Sequence, residues 1–235
     1  MMRHLPAIFF VLIISAPAGF TKPSTNTWCI RQNHQIFGPQ NVYLTDKWMM
    51  TENLREGTTY IKELGQKETK IFNRKKMVFY IGTTDSVMKR MAFVSNLTDR
   101  SLTNLKKGDI HKWKLRKKGT LYSLPVEIYS LDYAGKRWQY CITRALGIDK
   151  KIYRDYLDWS NLPDLGGMPL KLSAFSASTK SKPVPLLDTT AVNRTSVDSS
   201  RLVIPKGARR VNEIFQVSSG RTEQLMESFS EVLGE

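Results

Sequence analysis

The rhythm of short strand-like runs is what most limits the folds open to this chain. Between residues 27 and 82 it reads "TWCIRQNHQIF", "NVYLTDKWMMTEN", "TTYIKEL", "ETKIFNR" and "KMVFYIG", broken by "REG", "GQK" and "RKK". These runs are rich in β-branched and aromatic residues and recur at roughly 8–12-residue intervals, the mark of an antiparallel meander. Parallel neighbours would need crossover connections of about a dozen residues or more, and there is no room for them. In the second run Val42, Leu44, Trp48 and Met50 share one parity, which predicts a common face.

Helical spacing first shows in "TDSVMKRMAFVSNL". Thr84 or Asp85 caps it, and Val87, Met91 and Val94 form a stripe beside Met88 and Ala92. A second helix is expected in "IDKKIYRDYLDWSNL", with Ile148, Ile152, Tyr156 and Trp159 on one side and an end before Pro163. Between them, "HKWKLRKKG" (111–119) carries Lys112, Lys114, Arg116, Lys117 and Lys118. His111, Trp113 and Leu115 fall on one parity and Lys112, Lys114 and Arg116 on the other, which predicts a half-buried strand with a basic outer side. "VEIYSLDY" and "RWQYCIT" flank "AGK" as a hairpin, with Trp138, Tyr140 and Ile142 on one face. Further strands follow in "GGMPLKLSAFSAS" and "VPLLDTTAVNRTSVDSSRLVIPKG". "TEQLMESFSEVLGE" then reads as an amphipathic helix opposing Leu225, Phe229 and Val232 to Glu223, Glu227 and Glu231.

The N-terminus "MMRHLPAIFFVLIISAPAGF" has a positive start, an apolar run from Leu5 to Ile14 and a small-residue site at Ala16 and Ala18. That is the pattern of a secretory signal peptide over residues 1–18. The run is shorter than the roughly 20 residues a spanning helix needs. The net charge is +15, and removing residues 1–18, whose only charged side chain is Arg3, leaves +15 − 1 = +14. Such an excess favours anionic partners. An oxidising compartment permits a disulfide between Cys29 and Cys141, and free buried thiols are equally compatible with the sequence.

Neither catalysis nor metal binding has a motif here. His34 and His111 are the two histidines after residue 18, far apart and without zinc-ligand spacing; no nucleophile elbow, phosphate loop or "H-E-x-x-H" occurs. A non-enzymatic protein without cofactor is expected. Stacking on single-stranded nucleic acid needs aromatic and basic groups on the same face. Alternation sets Trp113 against Lys112 and Lys114, so no nucleic-acid partner is expected. Lys112, Lys114, Arg116, Lys117 and Lys118 are instead expected to meet an anionic membrane surface or an acidic envelope protein.

The ordered series "KGTLYSLPVEIYSLDYAGKRWQYCITRAL", "GGMPLKLSAF" and "TTAVNRTSVDSSRLVIPKGARRV" resembles a family of exported bacterial proteins of unknown function, related in shape to the periplasmic lipoprotein carrier LolA. The likeness covers residues 26–212 and includes Gly167–Leu170 and "LVIPKG" at Leu202–Gly207; Tyr140–Cys141 departs from the usual tryptophan. It implies a mainly β (α+β) fold: a strongly curved antiparallel half-barrel covered on its concave face by helices. The domains expected are a signal peptide (1–18), a polar leader (19–26), the half-barrel (27–212) and an acidic helical tail (213–235). The resemblance also implies a soluble carrier of a lipid or lipoprotein acyl chain, exported to the periplasm of a Gram-negative bacterium, with an extracellular location as the second expectation. Phe79, Met88, Met91, Trp113, Trp138 and Tyr140 are expected to line its cavity. An interaction module that grips an acidic partner through basic outer strands is the other expectation.

Overall fold

The computed structural model describes residues 24–87, 112–160, 162–176 and 182–218. The strands are β1 (Ser24–His34), β2 (Gly38–Leu44), β3 (Trp48–Asn53), β4 (Thr58–Glu63), β5 (Glu68–Asn73) and β6 (Val78–Thr83), then β7 (Lys114–Leu121), β8 (Leu124–Tyr133) and β9 (Lys136–Thr143). Helix α1 (Lys150–Trp159) precedes β10 (Met168–Ser176), β11 (Val184–Val197) and β12 (Arg209–Arg210). All twelve strands join one open, curved sheet in the order β12-β6-β5-β4-β3-β2-β1-β11-β10-β9-β8-β7. Neighbours are antiparallel except β12, which runs parallel to β6. The signal peptide, the rest of the first expected helix with Met88 and Met91, and the tail helix lie outside the described residues.

Three boundaries differ from the expectations. The leader ends earlier, because Ser24–Asn26 already belong to β1. "NVYLTDKWMMTEN" is two strands, because the Thr45 hydroxyl accepts from the Lys47 and Trp48 amides and turns the chain. Leu44 therefore pairs with Met49, and Trp48 and Met50 fall on the opposite face from Val42 and Leu44. The packed chain also runs past residue 212, with Ile214 and Val217 buried in a 3-10 turn and the Asn73 side chain donating to the Val217 carbonyl at 3.0 Å.

Both faces of β1–β6 are apolar, so each needs a cover. Ile30, Val42, Leu44, Met49, Tyr60 and Ile71 belong to the larger cluster, which α1 completes with Ile152, Tyr156 and Leu157. Cys29, Tyr43, Met50, Ile61 and Phe72 form a smaller cluster on the other face, closed by Val197, Leu202 and Ile204. Arg201 fastens that second cover: its guanidinium holds both Glu52 oxygens at 2.6 Å and donates to the Tyr43 hydroxyl at 2.9 Å.

Helix α1 starts where the Asp149 carboxylate accepts from the Lys151 amide at 2.8 Å. A buried polar chain seats it. The Tyr156 hydroxyl donates to Gln32 Oε1 at 2.6 Å and accepts from Gln40 Nε2 at 3.1 Å. Gln32 Nε2 continues to the Pro169 carbonyl and to Thr189 Oγ1. Beyond the helix end, His34 Nε2 lies 3.4 Å from the Ser160 carbonyl, while Nδ1 accepts from the Ile36 and Phe37 amides. That arrangement needs a neutral ring with its proton on Nε2.

Burial holds His34 at a pKa of about 4, below its ordinary 6.5. The unfolded state then binds more protons between pH 6.5 and 4, so stability is lost as pH falls through that window. The loss is about 3 kcal/mol over the full window. Urea unfolding of the wild type and His34→Gln from pH 7.5 to 4.5 checks this. The stability gap between the two should narrow steadily below pH 6.5, and a constant gap would show that His34 is not held neutral.

Candidate functional site

Strands β7–β10 arrange most of the residues singled out in the sequence. On one face of this part of the sheet, Trp113, Trp138 and Tyr140 are buried together, with the Trp113 and Tyr140 rings 5.6 Å apart and tilted. The Tyr140 hydroxyl donates to the Pro163 carbonyl at 3.0 Å, and the Trp138 indole donates to the Tyr133 carbonyl. Burial pushes the Tyr140 phenol well above its ordinary pKa. All three side chains are packed in the core, and of the three only Tyr140 also borders the groove beneath the β7–β8 hairpin. Phe79 does not join them: it sits at the edge of the smaller cluster on the other face, because Val78 and Tyr80 take the inward parity of β6. Met88 and Met91 lie outside the described residues.

The expected alternation in "HKWKLRKKG" stops at its tryptophan. Trp113 is 6% exposed and precedes β7, whereas Leu115 is 46% exposed, and every residue from Lys114 to Thr120 faces solvent. Two features explain this. Strand β7 ends the sheet order, and its pairing with β8 slips between Leu115 and Lys117, leaving Arg116 in a bulge where its Nε donates to Ser130 Oγ at 2.6 Å. Lys112 lies just before the strand and is also exposed.

The open space lies on the face of β9 opposite Trp138 and Tyr140. Register places Lys117 beside Ile128, Ile128 beside Cys141, and Cys141 beside Lys171. The β7–β8 hairpin turns at Tyr122 and Ser123, both in the left-handed region, with φ of 51° and 60°. That conformation costs non-glycine residues about 1–2 kcal/mol each. The Tyr122 hydroxyl offsets part of it by donating to the Thr189 carbonyl on β11, across β9 and β10. The hairpin thereby arches over the sheet and encloses a groove of about 340 Å³. Leu121, Val126, Ile128 and Cys141 supply its apolar lining, and Lys117, Lys118 and Lys171 its charge. A Cβ built on Gly119 meets nothing within 4 Å, so this glycine is a gap in the groove wall.

Lys171 is bonded to Asp188 at 2.9 Å, which raises its pKa above the ordinary lysine value. Burial pushes the Cys141 thiol up to about 11, against the pull of Lys171, so it is protonated at neutral pH and acts as an apolar surface. Cys29 and Cys141 are both free. Their strands are separated by β11 and β10, three steps along the sheet. At about 4.8 Å per step that is ~14 Å, beyond the Cα separation of about 4.4–6.8 Å that a disulfide spans. Among the described residues no group of three or more His, Cys, Asp or Glu side chains forms a metal site, and no helix is long and apolar enough to cross a membrane. The sequence reading missed Gly119, Val126, Ile128 and Lys171. The parity of "VEIYSLDY" and "PLKLSAF" was their signal, but register is needed to bring them together.

No family model matches the chain, and no curated protein does. Among solved structures, an uncharacterized conserved protein from Thermus thermophilus aligns at 14% identity over 80% of this chain and 90% of that one, with a TM-score of 0.43. PNGF-II aligns at 12% identity over 80% of this chain and 31% of that one, with a TM-score of 0.41. The chain thus spans about a third of PNGF-II. Likenesses this remote carry no argument about function.

The burial of Trp113 against the exposure of Lys114 yields a direct test. Trp113→Ala should cost about 3–5 kcal/mol in chemical unfolding. Lys114→Ala should change stability by less than about 0.5 kcal/mol. Equal effects would contradict the packing at the head of β7.

Proposed function

We propose that this protein is a non-enzymatic, exported envelope protein that binds an anionic amphiphile, a lipid or acyl chain with an acidic head, in the groove beneath the β7–β8 hairpin. One observation carries the reading: an apolar floor and a lysine rim meet in a single solvent-open space of about 340 Å³. Ligand pockets run from roughly 300 to 1,000 Å³, so the groove fits one chain or part of one. Leu121, Val126 and Ile128 would take methylenes out of water, at about 0.8 kcal/mol for each one buried. Lys117 would meet the head group, and Lys171 would reach it by sharing with Asp188.

The half-barrel likeness to LolA, with helices over a concave face, and periplasmic location belong to the same proposal. They rest on the motif series and the N-terminal residues. The ligand position differs from the one the likeness implied, since Trp113, Trp138 and Tyr140 are buried among themselves and their neighbours. Export predicts a mature protein beginning near Gly19, readable as intact mass from the native envelope.

Gly119 offers a clean test, because it lines the groove and a Cβ there meets nothing within 4 Å. A dansylated undecanoic acid should gain fluorescence on binding the wild type and be displaced by palmitate. Gly119→Trp should weaken it about tenfold or more, equivalent to about 1.4 kcal/mol, with an unchanged melting temperature. A wild type that leaves the probe dark, or a Gly119→Trp variant that binds equally, would refute the groove as the site.

A further inference from the structure

Strand β7 has a second exposed feature besides the groove wall: its edge. Among the described residues its sole sheet neighbour is β8, so its other side presents unpaired backbone amides and carbonyls along eight residues, Lys114–Leu121. At about 3.4 Å per residue that edge is ~27 Å long. No acidic residue lies on β7. Lys114, Lys117 and Lys118 make no ion pair among the described residues, although Lys70, Arg137, Arg144, Lys171 and Arg201 each do.

Lysines on an edge strand ordinarily deter another strand from adding. Here they discriminate by sign. A second copy of β7 would bring like charges into register, which is repulsive. A strand carrying carboxylates would bring complementary charges to the same positions. We infer that the edge of β7 is a docking site for an acidic, extended peptide segment of a partner protein, which adds to the sheet as a further strand beside β7.

The placement of the cations favours this occupant over a flat anionic surface. Lys117 is opposite Ile128 and Lys118 is opposite Glu127, so these consecutive lysines project to the two faces of the sheet. A lipid plane meets one face at a time. A strand lying alongside presents side chains to both faces at once, so its carboxylates can meet Lys114 and Lys117 on one face and Lys118 on the other while its backbone bonds the edge. The edge and the groove share residues 117–121, whereas Lys114, Leu115 and Arg116 lie outside the groove lining, so a change at Lys114 reads the edge without touching the groove.

The test uses the full mature chain and a fluorescein-labelled peptide of about seven residues alternating Glu and Thr, long enough to cover most of the edge. Anisotropy is read at about 50 mM salt, where the Debye length exceeds 10 Å. Saturable binding is expected, weakened about tenfold or more by Lys114→Glu, an exposed change outside the groove lining. The decisive probe is the same peptide N-methylated at alternate residues, which keeps its charge but cannot donate along one edge. It should bind at least about tenfold more weakly. Equal binding of the methylated peptide would reduce the contact to charge alone and overturn the inference. So would the absence of peptide binding, with or without sedimentation of the protein by phosphatidylglycerol vesicles, which would assign the lysines to a membrane.

Discussion

The Tyr156 hydroxyl is the point on which the described architecture turns. It joins α1 to Gln32 on β1 and Gln40 on β2, and Gln32 passes the connection to Pro169 on β10 and Thr189 on β11. A hydroxyl and two amides buried in an apolar cluster are tolerable only when they are mutually satisfied, since an orphaned group costs about 1–3 kcal/mol. The network therefore admits one placement of the helix. It also spans the seam where β1 meets β11, so the two halves of the sheet hold the helix jointly.

Much of the sheet was legible in residue patterns, and the losses have identifiable physical origins. The meander from β1 to β6 follows from strand spacing, and α1 from Asp149, Ile152 and Tyr156. The Thr45 turn was hidden because a hydroxyl, not a glycine or proline, closes it. Leu115 was misplaced because alternation predicts burial only where one face is covered, whereas both faces of β7 are exposed from Lys114 to Thr120 and a bulge shifts its register at Arg116. Phe79 was misassigned because both faces of β6 carry aromatic residues, and only register says which face Val78 and Tyr80 occupy. The groove was less visible still. Lys117, Ile128, Cys141 and Lys171 come from four strands, and their meeting depends on register and on the arch set by Tyr122.

The groove and the edge place two demands on one hairpin. Its apolar residues turn toward Cys141, while its cations stay in water on both sides of the strand. The Tyr122–Ser123 turn reconciles them. Strained dihedrals persist where surrounding contacts over-determine them, and such sites concentrate near function. Here the phenol of the strained residue itself supplies the contact, so the arch over the groove and the left-handed turn stand or fall together.

The pairing of β1 with β11 has a kinetic consequence. Trp28 faces Arg194 and Ile30 faces Val192, partners separated by more than 160 residues of chain. The first strand thus sits mid-sheet, with one neighbour supplied at once and the other almost last. Closing so long a loop must precede any reward from the contact, and sheets built this way fold slowly. During synthesis β1–β6 can pair locally, but β1 keeps a bare flank until β11 has emerged. The molecule finishes from its middle, and its order of assembly differs from its order of synthesis.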